Sequence, residues 1–341
     1  MDDTPADRGV FRPCAEQVAL IPEVSGNTIN GFGETQARQP RHIYWHDPDL
    51  IEHGRLQQWY YTQNASPAAT AARDKARAVE ARALPPVAHD KARQAPDAWT
   101  KAVKDTALAA GADQVGITPL RQDLVYQGCE LDYKWIIVLA VRMDYEPLSQ
   151  APGITTSVEV MDKYTQGTSA AYGLAAWIRE QGWDALHHGG PKAGPVLLIP
   201  HAISAGLGQL GKHGSMINRE FGSSFRLACV VTDLPLIADH EDDLASDDFC
   251  LSCQACTRAC PPRAISDTKH PVRGATKWYV DFDKCILYFN ENQSCAICLA
   301  VCPWSRPGVA PSLADKMARR RVRATPNSMP GSKGAPGTLP G

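Results

Sequence analysis

The chain has no charge of one sign to spare. Its 35 Lys and Arg against 37 Asp and Glu leave a formal net charge of −2, which provides no electrostatic footprint for nucleic acid. No apolar run reaches the ~18 residues of a membrane-spanning helix, so no membrane span is expected. The start, MDDTPADRG, is acidic and lacks the apolar stretch of a secretory signal, and no twin-Arg pair precedes an apolar segment. The expected location is therefore cytoplasmic. Nucleotide motifs fit poorly: there is neither a GxGxxG after a first strand nor a Walker loop ending in GK[ST].

What is present, and concentrated, is cysteine. Eight of the 11 cysteines lie in two runs, Cys250-x2-Cys253-x2-Cys256-x3-Cys260-Pro261 and Cys285-x9-Cys295-x2-Cys298-x3-Cys302-Pro303. The first has the spacing of bacterial two-cluster ferredoxins, in which the fourth Cys serves the other cluster. The proline turns the chain away, so the thiolate before it points elsewhere. By that logic Cys250, Cys253, Cys256 and Cys302 hold one [4Fe–4S] cluster, and Cys260, Cys285, Cys295 and Cys298 the second. The wide gap from Cys285 to Cys295 departs from a simple ferredoxin repeat and requires a loop. Zinc favours two CxxC pairs across a longer gap and does not explain two Cys-x3-Cys-Pro ends; disulfides need an oxidising compartment. Cys14, Cys129 and Cys229 are isolated, and Cys229, in an apolar run, reads as core.

A chain of 341 residues can bury one large core plus a small module. Four regions are expected: 1–98, of unassigned fold and placed to cover the active site; a core domain at 99–244; the cysteine module at 245–310; and a disordered tail at 311–341, rich in Pro, Gly and Arg. In the first region aromatics cluster at His42–Trp45 and Trp59–Tyr61, and an Ala/Arg stretch reads as helical until Pro85-Pro86. Residues 99–110 and 157–181 read as helices ending at glycines. Val115–Ile117, Trp135–Val141, Val196–Ile199 and Arg226–Val231 read as strands. Strands alternating with helices argue for an α/β domain.

Residues 200–235, PHAISAGLGQLGKHGSMINREFGSSFRLACVVTDLP, hold five glycines between apolar stretches. Glycines let backbone approach a ligand, and the exposed N–H groups suit phosphate or amide oxygens; a tight turn between strands explains them equally well. This segment, followed closely by the eight cysteines, resembles the corrinoid-dependent reductive dehalogenases and their relatives the epoxyqueuosine reductases, over about residues 100–305. The resemblance implies an α/β (α+β) nitroreductase-like cobalamin-binding core, with a C-terminal bacterial-type two-[4Fe–4S] ferredoxin module. It also implies a corrinoid held base-off. D-x-H-x-x-G, the usual signal of a protein His below cobalt, is absent, since Asp184-Ala-Leu-His187-His188-Gly189 has the wrong spacing.

In that family the clusters reduce cobalt to Co(I), halide leaves, and a Tyr paired with a Lys or Arg delivers the proton. Tyr164 is the matching donor, with Tyr172 its rival; Arg226 and Lys212 are the candidate cations, Arg226 slightly leading. A Tyr titrates near 10, and an adjacent cation eases formation of its phenolate. Corrinoid contacts fall, on the resemblance, to the turn: His201, Gly206, Gly208, Gly211, His213, Gly214, Ser215 and Asn218. A core tyrosine, a surface ion pair or a packed histidine is the plainer role for each. Trp304 is placed either to line the path from cluster to corrin or to cap the module.

The implied activity is reductive dehalogenation of an organohalide, an aromatic such as a halophenol. No flavin or plant-type ferredoxin reductase is fused after the cysteines, so the donor is expected to be external, a ferredoxin or flavodoxin with its reductase. Two other readings stand beside it. An epoxyqueuosine reductase would act on a modified tRNA base with an Asp donor, for which Asp144 and Asp162 are available. An electron-transfer or corrinoid-reactivating protein would need the clusters but no proton donor.

Overall fold

In the computed structural model of the chain, residues 11–190, 192 and 194–324 are described. The centre is a four-stranded sheet of β1 (Gln114–Pro119), β2 (Trp135–Arg142), β3 (Ala185–Gly189) and β4 (Phe225–Thr232), in the order β1-β2-β4-β3 with every neighbour antiparallel. In register, Ile137 faces Ile117 on one side and Val230 on the other, and His187 lies opposite Val230. The sheet is buried on both faces because residues 136–141 of β2 and 227–231 of β4 are apolar without interruption. Ile137, Leu139, Ala228 and Val230 meet Trp99, Val103, Leu174 and Ile178. Those four come from α2 (Pro96–Ala109) and α3 (Ile154–Glu180), the second and third of three helices here; α1 (Pro67–Glu80) packs along α3. The alternate residues Ile136, Val138, Cys229 and Val231 face Val196, Ala202, Met216 and Phe221. Cys229 is fully buried, as a core cysteine should be.

The structure corrects two readings. Residues 196–199 are not a strand: Val196 makes one isolated bridge to Val125, and Leu198–Ser204 is helical. An apolar run this short does not distinguish helix from strand, and Pro200 is tolerated in a first helical turn, where no intrahelical partner awaits its missing N–H. The tail is not disordered from 311: Val309–Ala324 is a helix whose Ala310, Ala314 and Met317 pack on Trp304 and Cys250. The rest of the tail lies outside the described residues. A strand at 185–189 was not anticipated.

The cysteine module sits against the end of the sheet. A small hairpin, Gln209–Leu210 with Met216–Ile217, joins them. Met216 faces the sheet side, while Ile217, the next residue along the strand, faces Cys250 and Cys302. The N-terminal region clasps the module from outside. Asn27 and Ser25 bond Asp281 and Asp283, and Asn290 is held by Gln17, Tyr44 and Asn64.

Candidate functional site

Two cavities meet at three shared side chains. The larger, about 400 Å³, is walled by the ends of β3 and β4, by Gly194–Ile199 and by Ser215 and Met216. The smaller, about 140 Å³, is walled by Trp45, Tyr60, Tyr61, Arg73, Phe289 and Ser294. Trp45, Tyr164 and Arg226 border both. Tyr164 projects from α3 and Arg226 from the start of β4, its guanidinium 5.5 Å from the Tyr164 ring centroid. The Tyr164 ring lies hard against Gly190: a Cβ there would stand 2.1 Å from Tyr164 Cδ1. Thr168, one turn along α3, donates from Oγ1 to the carbonyls of Tyr164 and Gly190, at 2.8 and 3.3 Å, so helix and strand end are stitched together at the tyrosine.

Tyr172 is elsewhere. Its hydroxyl donates to the Ala83 carbonyl at 3.1 Å, and Arg82 covers its ring. Lys212 is not beside Tyr164 either. It is 1% exposed, its amine donates to the Cys253 carbonyl at 2.9 Å and approaches Asp267 at 3.4 Å, and it stands over Trp278. It clamps the first cysteine loop.

Of the turn residues predicted to touch a corrinoid, Ser215 reaches the larger cavity. The others have structural duties. His201 takes the Arg121 N–H on Nε2, and its Nδ1 pairs with the Leu197 carbonyl. Asn218 ties Leu207 and Gln114 to the amides of Glu220 and Phe221. Gly208, at φ +137°, would place a Cβ 2.2 Å from the Ile217 carbonyl oxygen, and Gly206, Gly211 and Gly214 are similarly crowded by His240, His213 and Val280. His213 is buried, bonded to Ser223 and to the Ser215 amide; burial lowers its pKa to about 4, so the ring is neutral. Trp304 is 1% exposed and edge-on to Phe249, capping the module.

Sequence reasoning missed His188, Arg73 and Gly190. His188 borders the larger cavity with Nε2 buried and unpartnered; burial, then neighbouring His187, lowers its pKa to about 4. Arg226 Nε is likewise buried without a partner. The signal available was the string His187-His188-Gly189-Gly190, two chemically capable rings beside two residues without side chains.

The eight cysteines are all free thiols and fall into two neighbourhoods. Cys250 feels Cys302, Cys256 and Cys253; Cys285 feels Cys295 and Cys260; Cys298 feels Cys285 and Cys295 most strongly, then Cys256 and Cys260. Burial first, and mutual repulsion next, push the Cys250 and Cys285 thiols up to about 12. Groups that resist ionisation singly and repel one another as thiolates are stable as thiolates only around cations. Among the described residues no group of three or more His, Cys, Asp or Glu side chains is arranged to hold a single metal ion. Amide donors already point at the sulfurs: Lys212 to Cys250, Ala264 to Cys260 at 3.3 Å, Ile297 to Cys295, Trp304 and Ser305 to Cys302. Gln293 to Ala296, four successive non-glycine residues at positive φ, form the loop that the Cys285–Cys295 gap requires, a strained backbone that persists only where its surroundings over-determine it.

Residues 249–305 match the 4Fe-4S dicluster domain family. Over 186 residues, 51% of this chain and 33% of the relative, the sequence is 33% identical to a tetrachloroethene reductive dehalogenase of Dehalobacter restrictus. Over 129 residues, 33% of this chain and 38% of the relative, it is 36% identical to an epoxyqueuosine reductase of Cyclobacterium marinum. The fold matches that of the catabolic reductive dehalogenase NpRdhA in complex with 3-bromo-4-hydroxybenzoic acid, with a TM-score of 0.72 at 24% identity, covering 89% of this chain and 48% of that one. The match spans about a third of the length of the dehalogenase relative and about half of the solved protein. The chain is thus similar in sequence to reductive dehalogenases, as its turn and cysteines led one to expect, and also to epoxyqueuosine reductases, with residues 249–305 matching the 4Fe-4S dicluster domain family.

Proposed function

We propose that the protein is a corrinoid- and iron–sulfur-dependent reductive dehalogenase, with Tyr164 delivering the proton and Arg226 holding it for that purpose. The observation that carries this is the shared wall: Tyr164 and Arg226 stand where both cavities meet, the smaller cavity borders the cysteine module directly, and the larger one reaches the hairpin that packs on it. Met216, on the larger, precedes Ile217, which touches Cys250 and Cys302; Ser294, on the smaller, precedes Cys295. Cys250, Cys253, Cys256 and Cys302 are the ligands of one cluster and Cys260, Cys285, Cys295 and Cys298 of the other, a reading supported by the two thiol neighbourhoods. The clusters supply electrons singly. An external ferredoxin or flavodoxin with its reductase feeds them.

The larger cavity fits a corrinoid's amide-rimmed edge. The unpartnered His188 Nε2 and Arg226 Nε supply polar contacts, and Ser215 and the glycines at 189, 190 and 194 leave the wall low. Bound there, the corrinoid supplies low-valent cobalt able to pass electrons to a carbon–halogen bond. Overall, two electrons and one proton replace carbon–halogen by carbon–hydrogen and release halide. Tyr164 holds that proton on its hydroxyl, and the Arg226 guanidinium balances the phenolate left behind. The smaller cavity favours a halogenated aromatic anion such as a halophenolate. Its walls are aromatic, Arg73 and Arg226 provide two cations, and no carboxylate among the described residues lines it. The 3-bromo-4-hydroxybenzoic acid of the NpRdhA complex is of this class.

The carboxylates that an epoxyqueuosine reductase would need are elsewhere: Asp144 approaches Lys163 at 3.4 Å and Asp162 pairs with Lys75 at 3.2 Å, both exposed. The test is Tyr164→Phe. General acid loss costs about 10²- to 10⁴-fold, so turnover of a halophenol should fall by at least that lower figure while reduction of bound cobalt, followed by visible and EPR spectra, proceeds normally. Undiminished turnover by the Phe variant would refute the assignment.

A further inference from the structure

A hydrogen-bonded chain runs from the wall of the larger cavity to a cluster cysteine. The Ser215 amide donates to His213 Nδ1 at 3.2 Å. Because Nδ1 accepts, the ring proton is on Nε2, which therefore donates to Ser223 Oγ at 2.9 Å. That leaves the Ser223 hydroxyl proton free to point at Cys302 Sγ, 3.6 Å away. Ser223 is 0% exposed and His213 and Cys302 are each 6% exposed, so water does not compete for any of these groups. The tautomer of one ring fixes the sense of every donor down the line.

We infer that Ser223 is a potential-setting residue for the cluster bound by Cys302, and that His213 positions it by occupying its oxygen as an acceptor. A hydroxyl donor on a cluster sulfur favours the more negative, reduced cluster, and hydrogen bonds to sulfur are among the levers that set cluster potentials. The amides of Trp304 and Ser305 also bond Cys302, but they are backbone and cannot rotate away. The hydroxyl can, and His213 is what holds it. This inference rests on Cys302 ligating a cluster, as proposed above.

The measurement is a potentiometric titration of the cluster-loaded protein followed by EPR. Ser223→Ala should lower the midpoint of one cluster and leave the other in place, by up to about tenfold in the oxidised-to-reduced ratio, or about 59 mV for one electron. Ser223→Thr, which keeps the hydroxyl, should restore it. His213→Phe should shift the same cluster in the same direction, and should add nothing in a Ser223→Ala background, because it acts through that hydroxyl. Two unchanged midpoints in a fully iron-loaded Ser223→Ala protein overturn the inference, as does a His213→Phe shift that persists without the hydroxyl. If Ser223→Ala fails to load iron, the Ser223→Thr and His213→Phe midpoints decide alone: retention in the first and a shift in the second support the chain, and any other pattern overturns it. A Cys302→Ala protein that keeps both cluster signals of the wild type would instead sink the ligand assignment, and with it the inference.

Discussion

Arg226 carries two requirements that a lysine cannot meet together. One guanidinium nitrogen donates to the Phe225 carbonyl at 3.0 Å and fixes the group, while Nε stays free and the charge lies over the Tyr164 ring. A planar fork does this without loss of orientation, whereas an ammonium on a flexible stem is a point charge. Arg226→Lys should therefore keep part of the activity, down by about tenfold, and Arg226→Leu should lose about 10²-fold or more, the range of a positioned electrostatic group. Steady-state kcat on one halophenol checks it; equal rates for both variants would mean that the cation has no part in the chemistry. The residue type was readable as a candidate, but the choice of Arg226 over Lys212 was not. Both lie in or just after the Gly-rich stretch and both carry charge, and only the folding of the 211–215 turn onto the cysteine loop removes Lys212 from the cavity.

At the scale of elements, the site depends on how closely β3 can approach α3. Gly189 and Gly190 make that approach possible, since a Cβ at either would lie 2.1 Å from Thr168 or from the Tyr164 ring. Gly190→Ala should push the tyrosine ring out of line. Overpacking of this kind costs about 1–3 kcal/mol, a modest fall in thermal stability, but turnover should fall more steeply, because a small misplacement of a reacting group is amplified in the rate. Thermal unfolding and kcat measured on the same preparation separate the two effects, and a loss of stability with full activity would rule out this coupling. The long helix α3, its partner α2 and strands β1, β2 and β4 were legible because their apolar residues repeat with helical or continuous strand periodicity. Strand β3 was not: Ala-Leu-His-His-Gly has a weak pattern, and it becomes a strand because β4 offers it an edge.

For the whole molecule, the histidines set a pH limit. His42 and His188 are held neutral, burial lowering each from 6.5 to about 4, with His46 and His187 adding repulsion. The unfolded chain binds protons on these rings below pH 6.5 and the folded protein does not, so stability is full above that value and declines as pH falls toward 4. Thermal melts between pH 7.5 and 4.5 should show that decline, and His42→Phe with His188→Gln should make it shallower while His213, also lowered to about 4, keeps the remainder; an unchanged slope in the double variant would place the sensitivity elsewhere. No helix among the described residues is long and apolar enough to cross a membrane.

Cysteine spacing by itself determined that two metal centres and a dicluster module were to be expected, because thiolates two and three residues apart, followed by proline, constrain where each sulfur can point. Periodicity determined most of the central sheet and its helices for a similar reason: burial of one face is a local property of the chain. The meeting of Arg226 with Tyr164, the neutral His213 and its line to Cys302, the unpartnered His188, and the part of the N-terminal aromatics in the smaller cavity were decided by tertiary structure alone. Trp45, Arg73, Tyr164, Arg226 and Phe289 are drawn from separate parts of the chain, and nothing local in any of them records the others. Their meeting is a consequence of the N-terminal segment clasping the cysteine module across the end of the sheet, a contact that polar pairs such as Asn27 with Asp281 and Tyr44 with Asn290 hold in place.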